Sequence, residues 1–295
     1  MINISLIGNG VDGGNLIMSH SLTNKVYFIT GATRGIGRAM ALRLAQEGAC
    51  VAITGKTTRE EQTDHGGSIH SVAQEVKDLG GQALPLELDV RHDQAISEAI
   101  GLTAQHWERI DGVICNAGAL DLSPALQTPM KRFDLLQQVN VRATFATIQA
   151  AIPHLQKQDN AHIMVMAPPI NLNRQWFRQG LAYTISKYGM SLCVKGFAEE
   201  LADTTIAVNG LWPSTLIATA AVKHHFPKLY PLSRQPSIVA DAAYYLLKQE
   251  NDRYRGEFLT DEQILQAQGV TDFDQYAIDA SQSPYPDFYI DHPEA

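Results

Sequence analysis

The sequence predicts an α/β fold, a single doubly wound parallel sheet of about seven strands with helices on both faces. Three observations carry that prediction. Strand-like and helix-like patterns alternate along the whole chain. A glycine turn, GATRGIG at 31–37, stands between the first strand pattern and the first helix pattern. The chain has 295 residues, 45% hydrophobic and 18% charged, a size and make-up suited to one large core, so 21–295 reads as one domain with 261–295 extending beyond its minimum.

Taken in order, residues 1–20 read as a disordered leader. Gly8 to Gly13 match the dinucleotide pattern GxGxxG, but no amphipathic helix follows to present its amides to a phosphate, so the match is false. A sound version comes next: the strand VYFIT runs into Gly31, Ala32, Thr33, Arg34, Gly35, Ile36 and Gly37, and then into RAMALRLAQEG. Glycine lets that turn bend tightly, approach a phosphate and pack the helix on the sheet. The pattern TGxxxGIG resembles the short-chain dehydrogenase/reductase family, which implies a Rossmann-like sheet of order 3-2-1-4-5-6-7 and a nicotinamide cofactor.

The strand at 50–54 bears on which cofactor. An acidic reader of the ribose 2′-hydroxyl is absent from Thr54-Gly55-Lys56-Thr57, and Lys56 with Arg34 offers two cations for a 2′-phosphate, favouring NADP(H). Two ordinary surface cations are the plainer alternative. The polar run 58–67 is a long loop. After the strand 83–88 come Asp89 and Val90, which by resemblance lie against the adenine; Asp89 is equally compatible with capping the helix that runs to His106. Asn116-Ala117-Gly118 ends the strand 111–115 and matches the family's NAG motif, where small residues let the cofactor lie against the strand end. A long helix over 129–158 carries Asn140, which the resemblance places in a proton relay with the active-site lysine. A core asparagine satisfied by backbone is the other reading.

Residues 181–195, LAYTISKYGMSLCVK, place Tyr183 and Lys187 one turn apart on one helix face. A tyrosine titrates near about pH 10, so acid/base work near neutrality takes about 4 kcal/mol of help, which an ammonium about 4 Å away supplies. By resemblance Tyr183 is the catalytic acid/base, with Lys187 and Asn140 in support. The departure lies just upstream. Where the family carries a serine that binds the substrate oxygen, the chain reads Ala167-Pro168-Pro169, and no serine or threonine occurs between Asn160 and Ala182. Asn171, Asn173 and Gln175 are the candidate replacements. One donor to a developing oxyanion is worth about 3 to 4 kcal/mol, so a catalytically lapsed NADP(H)-binding sensor or scaffold stands as the alternative function.

The proline pair, TPMKRFD, IAVNGLWPST and the tail PYPDFYIDHPEA resemble the hydroxysteroid dehydrogenase-like protein 2 subgroup. Members of that group from animals carry a sterol-carrier domain that this sequence does not contain. Pro213 and Thr219 match the segment that covers the nicotinamide, and 223–235 reads as a substrate lid. The resemblance implies a small carbonyl or alcohol substrate, lipid-like molecules among them, and homo-dimers or homo-tetramers. Other classes fit poorly. A net charge of −8 without a basic run argues against nucleic acid, no apolar run is long enough to span a bilayer, and ten histidines show no metal-ligand spacing, so no metal is expected. Cys50, Cys115 and Cys193 read as reduced core thiols, which fits a cytoplasmic location.

Overall fold

A computed structural model of the chain describes residues 21–59, 66–178 and 180–291. The expected leader at 1–20, with its GxGxxG match, and the middle of the 58–67 loop lie outside those residues. Strands β1 (Val26–Ile29), β2 (Cys50–Gly55), β3 (Gln82–Glu87), β4 (Gly112–Cys115), β5 (Ala161–Val165), β6 (Ile206–Trp212) and β7 (Phe258–Thr260) form one sheet. Its order is 3-2-1-4-5-6-7, and every pairing is parallel.

Helices α1 (Gly35–Gln46), α2 (Ile69–Asp78), α3 (Asp93–Trp107), α4 (Met130–Leu136), α5 (Ala143–Leu155), α6 (Leu181–Glu200), α7 (Ala220–His225), α8 (Ser237–Leu247) and α9 (Asp261–Gln266) make the connections. Successive strand residues point to opposite faces, so each strand feeds two cores. Tyr27 and Ile29 of β1 pack with Met40, Leu44 and Val239 from α1 and α8. Phe28 between them packs with Ile96, Ile148 and Val194 from α3, α5 and α6. Both faces are thereby buried, which is why the strands read as apolar runs without polar alternation.

Two expectations change. The helix expected over 129–158 is interrupted at Gln137–Arg142 by a π-helical turn around Asn140. Such widened turns are local irregularities that often mark functional sites. Asp89 does not cap the next helix: α3 starts only at Asp93, with His92 as its N-cap. Its first-turn amides are too far along the chain, and Asp89 Oδ1 instead accepts from the Arg91 backbone N–H (3.1 Å) and Nε (2.9 Å).

The C-terminal extension forms a strap across the carboxyl end of the sheet. Leu216 N–H donates to Tyr285 O (2.9 Å), Asp287 N–H to Ser214 O (3.1 Å), and Trp212 Nε1 to Phe288 O (2.8 Å). Tyr289 is buried although its backbone holds a positive φ of 68°, a conformation unfavourable for a bulky residue. What holds it is its ring, packed among Trp176, Tyr188, Trp212 and Phe288, together with its hydroxyl 3.1 Å from Thr184 Oγ1. Truncating this ring in Tyr289→Ala removes about 3 kcal/mol of packing while leaving the strained backbone. The expected result is strap release: hydrogen exchange at 285–289 accelerates while β1, β4 and β5 keep their protection. Unchanged protection at 285–289 would show that the ring does not hold the strap.

Candidate active site

The carboxyl ends of the parallel strands face a cavity of about 520 Å³, the position in which open α/β sheets bind ligands. One end is built by the glycine turn. Gly31 holds φ 68°, and a Cβ on Gly37 would stand 2.3 Å from Gly31 O and 2.5 Å from Asn116 Nδ2. That approach lets Asn116 Nδ2 donate to Thr30 O (3.0 Å) and Gly31 O (2.9 Å), tying the end of β4 to the end of β1. Helix α1 opens here from Arg34, whose side chain gives no capping bond, so first-turn amides stay available for an anion. Arg34 and Lys56 line the same end. Asp89 and Val90 line it too, the Asp89 carboxyl held down to about 2, chiefly by the Arg91 guanidinium and lastly by Lys56.

The other end belongs to α6. Tyr183 and Lys187 both face the cavity, beside Pro213 and Thr219. Lys187 Nζ donates to Met166 O (2.5 Å), touches Met190 Sδ (3.4 Å) and lies 4.7 Å from the centre of the Trp212 ring. Burial, partly offset by Asp287, pushes its ammonium down to about 7. The Tyr183 phenol is raised well above its ordinary value, by burial first and then by Tyr289 and Asp287. This differs from the expectation that Lys187 lowers the phenol. An amine that titrates near 7 is neutral at any pH where a phenol so raised would ionise, so it has no charge with which to favour the phenolate.

All the residues expected to meet the cofactor line this one cavity: Gly31, Thr33, Arg34, Gly35, Ile36, Gly37, Lys56, Asp89, Val90, Asn116, Ala117, Gly118, Tyr183, Lys187, Pro213 and Thr219. Asn140 does not. It is fully buried behind the wall, where Oδ1 accepts from Ala119 N–H (2.7 Å) and Nδ2 donates to Ala119 O (3.0 Å) and Ser186 Oγ (2.8 Å). It therefore fixes the loop after β4 against α6.

Comparison with known proteins agrees with this geometry. The short chain dehydrogenase family model matches residues 25–229. The chain belongs to that family.

This short-chain dehydrogenase is 46% identical over 270 residues to hydroxysteroid dehydrogenase-like protein 2 of Rattus norvegicus, covering 91% of this chain and 51% of the rat protein. It thus spans about half the length of that relative. A crystal structure from Xanthomonas campestris superimposes with a TM-score of 0.89 at 42% identity, covering 92% of this chain and 99% of that one. A short chain dehydrogenase from Mycobacterium thermoresistibile gives 0.87 at 40% identity, covering 93% and 98%.

The expected serine position stays empty of any hydroxyl. Ala167 is fully buried and is followed by two prolines, Pro168 and Pro169. The three amides considered as replacements are turned to the strap: Asn171 Nδ2 donates to Tyr289 O (3.0 Å), and Asn173 and Gln175 donate to Asp291. Sequence reading missed Asp287 and Phe288, which line the cavity from the strap. The only signal was an aspartate set among tail aromatics, and nothing local ties that run to a cavity formed some hundred residues earlier. Gly37→Ala drives a methyl into backbone Gly31 O, which cannot swing aside. It is expected to cost about 1 to 3 kcal/mol in a urea titration, and an unchanged midpoint would contradict the close approach described above.

Proposed function

We propose that this short-chain dehydrogenase is an NADP(H)-dependent oxidoreductase that interconverts a carbonyl and an alcohol, with Tyr183 as its acid/base. The observation that carries the reading is one continuous cavity with an uncapped glycine turn and two cations at one end and Tyr183 with Lys187 at the other. A dinucleotide fits those residues. Its pyrophosphate suits the first-turn amides of α1, its 2′-phosphate suits Arg34 and Lys56, and Lys187 would hold the nicotinamide ribose. When bound, the reduced cofactor supplies a hydride to the carbonyl carbon.

The side chains supply the rest. Tyr183, kept protonated by burial, gives its proton to the carbonyl oxygen as that oxygen gains charge. Asn140 holds Ala119 and Ser186 and so positions the loop after β4 beside α6. Leu120, Phe226 and Phe288 line the cavity with apolar surface, which supports an apolar, lipid-like carbonyl or alcohol as substrate, in keeping with the name of the rat relative. Outward-facing Phe145, Ile185 and Leu192 on α5 and α6 are exposed, which supports a homo-dimer or homo-tetramer built on those helices. No helix among the described residues is long and apolar enough to cross a membrane. Cys50, Cys115 and Cys193 are free thiols, which supports a reducing compartment such as the cytoplasm.

The buried Ala167 and its prolines favour one competing reading, a cofactor-binding sensor or scaffold without turnover. Tyr183→Phe separates the two. It is expected to bind NADPH like the wild type by fluorescence titration and to lose about 10²- to 10⁴-fold in carbonyl reduction. Equal rates would sink the assigned acid, and binding without turnover in the wild type would favour the scaffold. Lys56→Glu places a carboxylate where the 2′-phosphate is assigned, and the ratio of NADPH to NADH affinity is expected to fall about tenfold or more. An unchanged ratio would remove Lys56 from cofactor selection.

A further inference from the structure

We propose that Asp287, carried in by the C-terminal strap, replaces the missing β5 hydroxyl as the second hydrogen-bond donor, beside Tyr183, to the substrate oxygen. This rests on the oxidoreductase reading above. The position of Asp287 is fixed at three points: its own N–H on Ser214 O, Trp212 Nε1 on Phe288 O, and the bridge between Thr215 and Pro286. The side chain lines the cavity that Tyr183 and Lys187 line. Oδ1 accepts the Phe288 N–H at 2.7 Å, and among the described residues no hydrogen bond reaches Oδ2. That leaves one carboxyl oxygen for a ligand. Ala167 has no donor to offer, and Asn171, Asn173 and Gln175 are held by the strap itself.

A carboxyl donates only while protonated, and the surroundings keep it so. Burial first, and then Asp261 at the start of α9, push Asp287 up to about 8, while the Phe288 N–H and Lys187 on α6 pull the other way. Tyr183 and Tyr289 are the remaining titratable groups that Asp287 acts on, and both are held as neutral phenols. Asp261 is itself raised to about 6 by burial, with Oδ2 unpartnered. In the reaction the carbonyl carbon gains the hydride and the carbon–oxygen π pair moves onto oxygen. Oxygen takes the Tyr183 proton, and Asp287 keeps its own proton while stabilising the developing charge. A carboxylic acid held neutral near pH 7 in an apolar site is an established kind of oxyanion donor.

The sign of the pH effect follows. Raised above the ordinary carboxylate value, Asp287 holds its proton at neutral pH and loses it through about pH 8, so donation fails as pH rises. The test uses the full chain with NADPH and 4-nitrobenzaldehyde as probe, in wild type, Asp287→Asn, Asp287→Ala and Tyr183→Phe. Asp287→Asn keeps an N–H donor that does not titrate, and is expected to retain kcat above pH 8 where the wild type declines. Asp287→Ala is expected to lose about 10²-fold or more in kcat below pH 8, where the wild-type carboxyl is protonated, with NADPH affinity unchanged. Identical pH profiles for wild type and Asp287→Asn, or a wild-type kcat in Asp287→Ala, would overturn the proposal. Difference infrared spectra of wild type minus Asp287→Asn, with NADPH bound, read the carboxyl without turnover. A protonated-carboxyl band at pH 7 that fades through about pH 8 supports the proposal, and its absence at pH 7 contradicts it. An unimpaired Tyr183→Phe would instead overturn the underlying reading.

Discussion

Restricted access of water to Lys187, which is buried, and to Tyr183 and Asp287, which are half-buried on the cavity wall, is the constraint on which the site depends. Charge is costly in such surroundings unless it is paired, and each of the three groups moves toward its neutral form: the amine down, the phenol and the carboxyl up. Among the described residues the Met166 carbonyl, Met190 Sδ and the face of Trp212 stand against the ammonium directly. A cluster held this way carries protons at neutral pH on Tyr183 and Asp287, which suits giving a proton to an oxygen that acquires negative charge. The same burial makes the cluster sensitive to any charged partner, because a nearby phosphate or positively charged ring acts through a low local dielectric.

Two devices hold that environment in place, and they come from opposite ends of the chain. The parallel sheet gathers the glycine turn, the Asn116 loop and α6 at its carboxyl edge, and Asn140 locks the last two together from behind. The strap then closes the open side, with Tyr289 accepting an unfavourable backbone conformation in exchange for a place among four aromatic rings. Arg234, paired with Glu262 and bridged to Ile217 and Ala277, fastens the end of the 223–235 segment to the same region. The 223–235 segment, the strap and α6 are thus mechanically connected.

Legibility in the sequence followed the range of the interactions. The sheet order came from a family resemblance anchored on the glycine turn, and the cavity-lining residues of that turn, of Asn116-Ala117-Gly118 and of α6 were readable because each motif is contiguous and its chemistry local. Asn140 was readable as a buried amide, but its partners Ala119 and Ser186 were not, since they lie 21 and 46 residues away. The π turn around it has no sequence signature. Helical spacing placed Lys187 beside Tyr183 but said nothing of solvation, and burial is what dominates the phenol. Asp287 escaped altogether, for its role depends on a tail folding back on β6 more than 70 residues earlier along the chain.

The direct test of this account is the titration of Lys187 itself, followed by ¹³C NMR of lysine ε-carbons in the cofactor-free protein, with assignment by Lys187→Arg. A single lysine resonance moving through a midpoint near pH 7 is the predicted result. Lysine resonances that all titrate near about 10.4, as solvated lysines do, would show that the site is wet and that the neutral cluster does not exist.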